Sequence, residues 1–240
     1  MLSERLKTIA SMVPKSDTLA DVGCDHGFLS IELVKMGRAK HVLAMDINEG
    51  PLEKAKQNIA MSGCSDQITC LLSDGLNVVT TTKLDGFIIA GMGGRLGLKI
   101  IYDRRDLMPL MKWAIISLQS ELDLVRLVLD EWNIKVISDI TLKDGKKFYT
   151  VLKLDFEGVN IKDCDDIEKF FDEMNDKLSS MDVKGKALYR YGSASSKEYI
   201  LSELQRYESI KKDMINKGIT DLRVNEVTDD IAICKFALHN

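Results

Sequence analysis

A strand, a glycine-containing loop and a helix follow one another at residues 18–37, and this unit limits the possible folds more than any other stretch. The apolar run TLADV ends at Gly23, and Gly27 precedes the helical pattern FLSIELVKMG. Gly23 allows a tight turn after the strand, and Gly27 leaves room for a ligand where the helix begins. The unit therefore predicts a parallel sheet that binds a ligand at the carboxyl end of this strand.

Strand and helix patterns go on alternating after this unit. Buried-strand patterns recur at HVLAMD, QITCLL, DGFIIAG and WAIISLQ, with helical patterns among them. This alternation predicts right-handed βαβ units and a parallel sheet. The segment IKVISDITLKDGKKFYTVLKLDF then has two strand-like runs around a Lys-Asp-Gly-Lys turn, which predicts a β-hairpin. We therefore expect an α/β fold with seven strands, one of them antiparallel, and not the all-parallel sheet of a dinucleotide dehydrogenase.

The pattern becomes helical beyond Gly158. We predict one domain over residues 1–158 and a second, helical domain over residues 159–240. Two long amphipathic helices joined by DVKGKALYRYGSAS indicate a helical hairpin or a short antiparallel coiled coil. The final segment DLRVNEVTDDIAICKFAL is ambiguous between helix and other structure.

Composition excludes several classes of protein. The 240 residues contain no apolar run of membrane-spanning length and no signal-peptide pattern, so we expect a cytoplasmic protein that does not enter membranes. The five cysteines form no CxxC pair, which argues against disulfides and a metal site. A net charge of −4 argues against a large nucleic-acid surface but leaves room for a local basic patch. The oligomeric state is not predicted.

Asp25 stands where a dinucleotide-binding loop carries its middle glycine. A pyrophosphate at the start of the helix would be repelled by this carboxylate. S-adenosylmethionine carries a sulfonium and an ammonium, and a carboxylate attracts both. We therefore expect S-adenosylmethionine as the cofactor, bound by Gly23, Asp25, Gly27 and their neighbour His26, which we do not assign as a general base. The alternative is that Asp25 only caps the helix at Gly27.

Two further acids follow strands. Asp46 ends the second strand about 20 residues after the loop, where an acidic residue binds ribose hydroxyls in such folds. We expect Asp46 and the adjacent Ile47 to contact the cofactor. Asp74 follows the third strand and is expected to reach the adenine amino group, while Gly75 lets the backbone approach. For Asp74 the alternative is a simple Asp-Gly turn.

A glycine-rich loop, AGMGG, follows the fourth strand at the edge of the sheet where ligands bind. We assign Gly91 to the cofactor side. We assign Met92, Gly93 and Gly94 to the substrate, because small residues let a substrate approach the methyl group. Met92 packs either on a flat base or in the core, and the sequence favours neither alternative over the other.

Three arginines are further candidates. Arg5, in the predicted first helix, either binds the cofactor carboxylate or is simply solvated. Arg104 and Arg105 form a basic pair that we place beside the substrate, where they could contact a phosphate. The alternative is that they are ordinary surface charges.

These motifs together resemble a known family, the bacterial tRNA adenine-N1 methyltransferases that modify position 22. The resemblance rests on LSERL, DVGCDHGFL, AGMGG, SLQSELDLVRLVL and DGKKFYTVLKL, and spans roughly the first 155 residues. It implies a Rossmann-like class I methyltransferase domain with a C-terminal coiled-coil domain, and tRNA as the substrate. It also places Asp25 at the family's loop aspartate. The family's Gln-Pro-Asn is Gln119-Ser120-Glu121 here, so a substrate contact by that Asn does not carry over.

The implied reaction needs little proton chemistry. N1 of adenine has a free lone pair, so the enzyme's main task is to align N1, the methyl carbon and the sulfur. We expect Asp25 to be catalytic by orienting the cofactor or the base. The alternatives are a methyltransferase for a small molecule or a protein, and a non-catalytic interaction protein on the same fold. The presence of Asp25, Asp46 and Asp74 argues against the last.

Overall fold

A seven-stranded sheet forms the centre of the protein. The computed structural model describes residues 2–80, 83–192, 196–220 and 222–239. The strands are β1 (Ser16–Val22), β2 (Ala39–Asp46), β3 (Ile68–Leu72), β4 (Gly86–Ala90), β5 (Trp113–Ser117), β6 (Lys135–Asp144) and β7 (Lys147–Asp155). They lie in the order β3-β2-β1-β4-β5-β7-β6. Strand β7 is antiparallel to β5 and β6, and the remaining pairs are parallel. The predicted α/β sheet with its terminal hairpin is therefore confirmed.

Helices cover both faces of this sheet. On one face lie α1 (Glu4–Met12), α2 (Phe28–Lys35) and α3 (Glu49–Ser62); on the other lie α4 (Gly94–Asp103) and α5 (Leu122–Glu131). A short 3₁₀ helix, Met108–Leu110, precedes β5. The strand order reverses between β1 and β4, so the loops after these strands diverge and leave a crevice at the carboxyl edge.

Local sequence signals set the ends of these helices. The Ser3 hydroxyl accepts a hydrogen bond from the Leu6 N–H at 3.4 Å and caps α1. Helix α3 ends at Gly63, whose φ of 74° is accessible to glycine at little cost. Helix α4 ends at Asp103, earlier than the pattern RLGLKIIYDRRDLM predicts, because the chain leaves the helical conformation at Arg104 (φ −121°, ψ 35°).

The helical region contains α6 (Ile167–Ser180), α7 (Val183–Tyr191), α8 (Lys197–Asn216) and α9 (Leu222–His239). The predicted linker between two long helices is wrong in its first part, because residues 183–191 form α7, capped by Asp182. Its residues 193–195 lie outside the described part of the chain. The final segment, which the sequence left ambiguous, forms helix α9. The two long helices that pack together are therefore α8 and α9, and not the two joined by the expected linker. An ion pair between Glu208 and Lys235, at 3.4 Å, joins them. Whether this pair is a coiled coil stays a prediction.

Packing is continuous across the expected domain boundary at Gly158. Phe171 and Leu178 of α6 belong to the same buried cluster as β4, β5 and α5. A separate cluster forms around Tyr191 of α7 and Ile233 of α9. The division into domains at residues 1–158 and 159–240 stays a prediction. Helix α6, although it follows the expected boundary, packs into the buried cluster that includes the sheet.

A buried ion pair joins the helical region to the sheet. The Arg126 guanidinium donates to both carboxylate oxygens of Asp139, at 3.0 and 3.1 Å, and both residues are under 10% exposed. Its Nη1 donates to the carbonyls of Tyr189 and Arg190 at the end of α7. Because every one of these groups has a partner, the pair fixes α7 against α5 and β6. Among the described helices, none has the length and apolar character needed to cross a membrane.

Candidate functional site

The loop after β1 has an unusual backbone. Gly23, Asp25 and Gly27 all have positive φ, at 73°, 51° and 72°. This conformation is easy for glycine and uncommon for aspartate, which pays a modest strain to adopt it. The Asp25 side chain is 69% exposed. Helix α2 begins at Phe28, after the N-cap Gly27, and no hydrogen bond from its first N–H groups to the Asp25 carboxylate is found among the described residues. The capping alternative for Asp25 therefore gains no support.

His26 lies next to the Asp25 carboxylate, with Nε2 at 3.6 Å from Oδ1. Its carbonyl accepts a hydrogen bond from the side-chain amide of Asn58 on α3, at 2.9 Å. The loop is thus held through its backbone, while the Asp25 carboxylate faces solvent at the carboxyl edge of the sheet.

Asp46 connects the first two loops. It is 8% exposed, and its carboxylate accepts hydrogen bonds from the N–H groups of Asp25 at 3.2 Å and Asn48 at 2.9 Å. The structure therefore brings together two of the three acids that the sequence analysis assigned to the cofactor. Ile47, the next residue, is 59% exposed, so it offers an apolar surface beside Asp46.

Asp74 and Gly75 follow β3 at the same edge. The Asp74 side chain is exposed, and its carbonyl accepts the Asn77 N–H at 3.2 Å, so the expected turn is present. Gly75 has a φ of 55°, and a Cβ there would lie 3.1 Å from Ile100 of α4. The turn explains Gly75, and the exposed carboxylate leaves the cofactor assignment of Asp74 a prediction.

The glycine loop after β4 packs against the loops after β1 and β5. The Met92 Cε lies where a Cβ on Gly23 would be, so Met92 covers the first loop. The Gly91 N–H donates to the Ser117 carbonyl and the Gln119 N–H to the Met92 carbonyl, both at 2.9 Å. Met92 also packs at the margin of the larger core cluster, so the structure adds support to the core-packing alternative for it.

Two residues that the sequence analysis did not assign hold the other end of this loop. The Ser120 hydroxyl accepts the Gly94 N–H at 3.1 Å. Glu121 has a φ of 53° and pairs with Arg95, the residue after the loop, at 3.1 Å. The sequence signal was available, since both residues directly follow the fifth strand at the carboxyl edge, but nothing in it indicates which loop they contact.

Arg5 has an unpaired buried atom beside the glycine loop. Its Nη1 is buried and has no hydrogen-bond partner in the described part of the chain. The same atom lies 3.6 Å from the position of a Cβ on Gly91, and the guanidinium stacks on the Tyr149 ring at 4.8 Å from the centroid. A buried donor without a partner is costly, and an anionic ligand group would remove that cost. The solvated alternative for Arg5 therefore does not hold.

Arg104 and Arg105 lie elsewhere. They follow the last turn of α4, about 15 Å along the helix from Gly94 at 1.5 Å per residue. Arg104 pairs with Asp106 at 3.1 Å and donates to the Leu76 carbonyl; Arg105 pairs with Asp163 at 2.6 Å. The structure does not bring them to the glycine loop, and their phosphate contact stays a prediction.

Asp21 lies under the first loop, near the end of β1. It is 2% exposed and accepts a hydrogen bond from the Ser30 hydroxyl at 2.6 Å. Burial raises the pKa of Asp21 to about 6, although the Ser30 hydrogen bonds oppose the shift. Burial also raises the pKa of the neighbouring Cys24 thiol, which stays protonated at neutral pH.

The site as a whole fits a ligand with charges of both signs. Asp25 offers an exposed carboxylate for a cationic group, and Arg5 offers an unpaired donor for an anionic group. Asp46 is buried beside the Asp25 loop and can accept hydrogen bonds from hydroxyl groups. Among the described residues, no cluster of three or more His, Cys, Asp or Glu side chains could hold a metal ion.

Comparison with known proteins gives the class. A family pattern described as a methyltransferase domain matches residues 2–152, which is more than half of the chain. The chain belongs to this methyltransferase domain family.

Particular relatives narrow the comparison. The tRNA (adenine(22)-N(1))-methyltransferase of Bacillus subtilis is 28% identical over 98% of this chain and 95% of its own length. The crystal structure of the Streptococcus pneumoniae protein Sp1610 with S-adenosyl-L-methionine has a TM-score of 0.77 and 25% identity, and all of both chains is covered. A Listeria monocytogenes structure with a TM-score of 0.81 is 22% identical and supports the fold alone. The resemblance expected from the sequence motifs is therefore confirmed.

Proposed function

We propose that this protein transfers the methyl group of S-adenosylmethionine to N1 of an adenine in tRNA, at position 22. The extent of the likeness to the B. subtilis tRNA (adenine(22)-N(1))-methyltransferase carries this proposal. It covers 98% of this chain, so it includes the helical region as well as the sheet. By contrast, the ribosomal protein L11 methyltransferase of Syntrophomonas wolfei matches only 33% of this chain. A protein substrate therefore has weaker support.

The residues of the site fit S-adenosylmethionine, which supplies an electrophilic methyl group when bound. Arg5 would hold its carboxylate, since the buried Nη1 otherwise has no partner. Asp46 would bind the ribose hydroxyls, and Asp25 would attract the cationic end of the molecule. A pyrophosphate would meet repulsion from both carboxylates, so a dinucleotide fits poorly.

The chain's contribution to the reaction is orientation. N1 lies on the Watson–Crick edge of adenine, so the base must be unpaired and turned out of the tRNA. Gly93 and Gly94 allow the base to approach, because no side chain projects from them. Asp25 lies on the opposite loop and orients the cofactor or the base. N1 needs no general base to attack, so none is assigned.

The helical region is proposed to bind the body of the tRNA by its shape and its phosphates. A role in tRNA modification also favours a cytoplasmic location for the protein, and cell fractionation would test this location. The oligomeric state is left to sedimentation analysis.

The test is methylation of transcribed tRNA with methyl-labelled cofactor, followed by nucleoside mass analysis. We expect labelled 1-methyladenosine, and no label in a matched transcript with guanosine at position 22. Parallel reactions with ribosomal protein L11 and with a metabolite extract test the other substrates. Label in ribosomal protein L11 or in a metabolite, with none in tRNA, would favour a methyltransferase for a protein or for a small molecule. Absence of cofactor binding in calorimetry would favour a non-catalytic protein.

A further inference from the structure

A cleft of about 180 Å³ lies where the terminal hairpin of the sheet meets the helical region. It is lined by Leu118 and Gln119, which follow β5, by Phe148 of β7 and by Tyr199 of α8. The Gln119 N–H donates to the Met92 carbonyl at 2.9 Å. The cleft is therefore adjacent to the glycine loop that we assign to the methyl acceptor.

The lining of this cleft combines aromatic rings with polar side chains. The rings of Phe148 and Tyr199 contact each other with centroids 5.3 Å apart and planes at 43°. Leu118, which is 2% exposed, and the half-buried Leu122 also line the cleft. Two aromatic rings at a junction of two structural regions offer a stacking surface for another flat ring.

The polar groups of the cleft suit a nucleotide. Gln119 brings an amide, which both donates and accepts hydrogen bonds, as the edge of a base does. Lys147, at the rim, is exposed and has no ion-pair partner among the residues that the structure describes. None of the described residues that line the cleft carries a carboxylate, so nothing there repels a phosphate.

The size of the cleft decides between a base and a larger ligand. Pockets for drug-sized molecules measure roughly 300–1,000 Å³, and this cleft is smaller. It has room for one heteroaromatic ring system but not for a whole cofactor. Because Gln119 lines the cleft and its N–H is bonded to the Met92 carbonyl, an occupant would lie close to the glycine loop.

We propose that this cleft receives the adenine that is turned out of the tRNA. Phe148 and Tyr199 stack against the base, Gln119 faces its polar edge, and Lys147 contacts a neighbouring phosphate. This inference rests on the proposed function and adds the residues that select the substrate. Because Tyr199 belongs to α8, the helical region forms part of the catalytic pocket.

Two substitutions at Phe148 test the stacking. Phe148→Leu keeps an apolar side chain of similar volume but removes the ring, and Phe148→Tyr keeps the ring as the matched control. At saturating cofactor we expect Phe148→Leu to lower kcat/KM for tRNA by about tenfold to a hundredfold, the usual effect of losing one stacked base. Phe148→Tyr should stay within about threefold of wild type. Cofactor Kd, measured by calorimetry, should be unchanged in both, because the Phe148 ring contacts Tyr199 and Lys143, which are not assigned to the cofactor.

A second measurement uses the unaltered protein. A tRNA with 8-azidoadenosine at the methylated position is irradiated in the complex, and the crosslinked peptide is identified by mass spectrometry. Crosslinks within residues 118–122, 147–150 or at Tyr199 support the cleft, and crosslinks confined to other residues contradict its location. Wild-type kinetics for Phe148→Leu contradict the stacking. If the wild-type protein methylates no tRNA, the proposed function fails; if it does and only these tests fail, the cleft assignment alone is wrong.

Discussion

Two places in the described part of the chain have buried charged groups that differ in how well the protein itself compensates them. At the junction with the helical region, Arg126 binds both oxygens of Asp139 and two carbonyls at the end of α7. At the carboxyl edge of the sheet, Arg5 has a buried Nη1 with no described partner. Asp21, near the end of β1, has hydrogen bonds only from Ser30, among the described residues, to offset its burial.

The difference separates stability from ligand binding. A buried ion pair with all its hydrogen bonds satisfied holds two parts of a protein in one arrangement. Buried groups without full compensation cost stability, and a ligand that completes their hydrogen bonds removes that cost. We therefore expect changes at the junction to act on unfolding, and changes at the sheet edge to act on binding and turnover.

The largest effect on stability is expected at the junction. Arg126→Met leaves the Asp139 carboxylate buried without a partner, so the free energy of unfolding should fall by about 3–5 kcal/mol in urea titrations. Arg126→Met with Asp139→Leu removes both charges and should recover part of this loss. If the double variant is less stable than the single one, the compensation argument is wrong.

Asp25→Asn tests the exposed carboxylate of the edge. Asparagine tolerates the left-handed backbone at φ 51°, so the fold should keep its stability. Loss of the charge should lower kcat/KM for tRNA by about a hundredfold to a thousandfold, in the range of losing one preorganised electrostatic contact. Asp25→Ala should be at least as inactive. Near-normal turnover by either variant would remove Asp25 from the catalytic role.

Arg5→Met tests the unpaired donor. Its loss should weaken cofactor binding about tenfold to a hundredfold, as expected for a charged hydrogen bond. The thermal midpoint without cofactor should change little or rise, because the orphaned donor disappears. Calorimetry and thermal melts of the same samples separate the two effects. A variant that binds cofactor normally but melts early would make Arg5 a structural residue.

Asp21→Asn should give the smallest effect, on the pH dependence of stability. The pKa of Asp21 is about 6 in the folded protein, above its ordinary 3.8, so folding favours the protonated form. The native protein therefore loses stability as the pH rises from about 4 through 6. Asparagine mimics the protonated carboxyl, and its advantage over wild type should grow to the order of 2 kcal/mol by pH 7. A difference that stays flat between pH 4 and 7 would contradict the raised pKa.

The sequence predicted the sheet and its edge well because the determining signals are local. Gly23 and Gly27 indicated a tight loop, and both have positive φ. Asp46 was placed by its distance from this loop along the chain, and the structure brings its carboxylate to the Asp25 N–H. Parallel strands end at one edge, so each residue that follows a strand was correctly expected there.

Other features depend on contacts between distant parts of the chain. Arg126 lies in the apolar run LVRLVL, but its partner Asp139 and the α7 carbonyls could not be inferred from that run. Arg104 and Arg105 were expected beside the substrate, whereas the helix carries them to its far end. Helix α9 was ambiguous because its apolar residues do not form a single face, and its packing against α8 settles its structure.

The hydrogen bond from the Arg5 N–H to Asp144, at 3.3 Å, spans 139 residues of the chain. During synthesis, α1 leaves the ribosome first, and the hairpin that anchors it follows only after these residues are added. At about 5–20 residues per second this interval is roughly 7–28 s. The glycine-containing loops after β1, β3 and β4 are all synthesised within this interval. A nascent chain at that stage has these loops, but its helix α1 is not yet anchored to the hairpin. Tight cofactor binding should therefore arise late in translation, once β6 and β7 have folded.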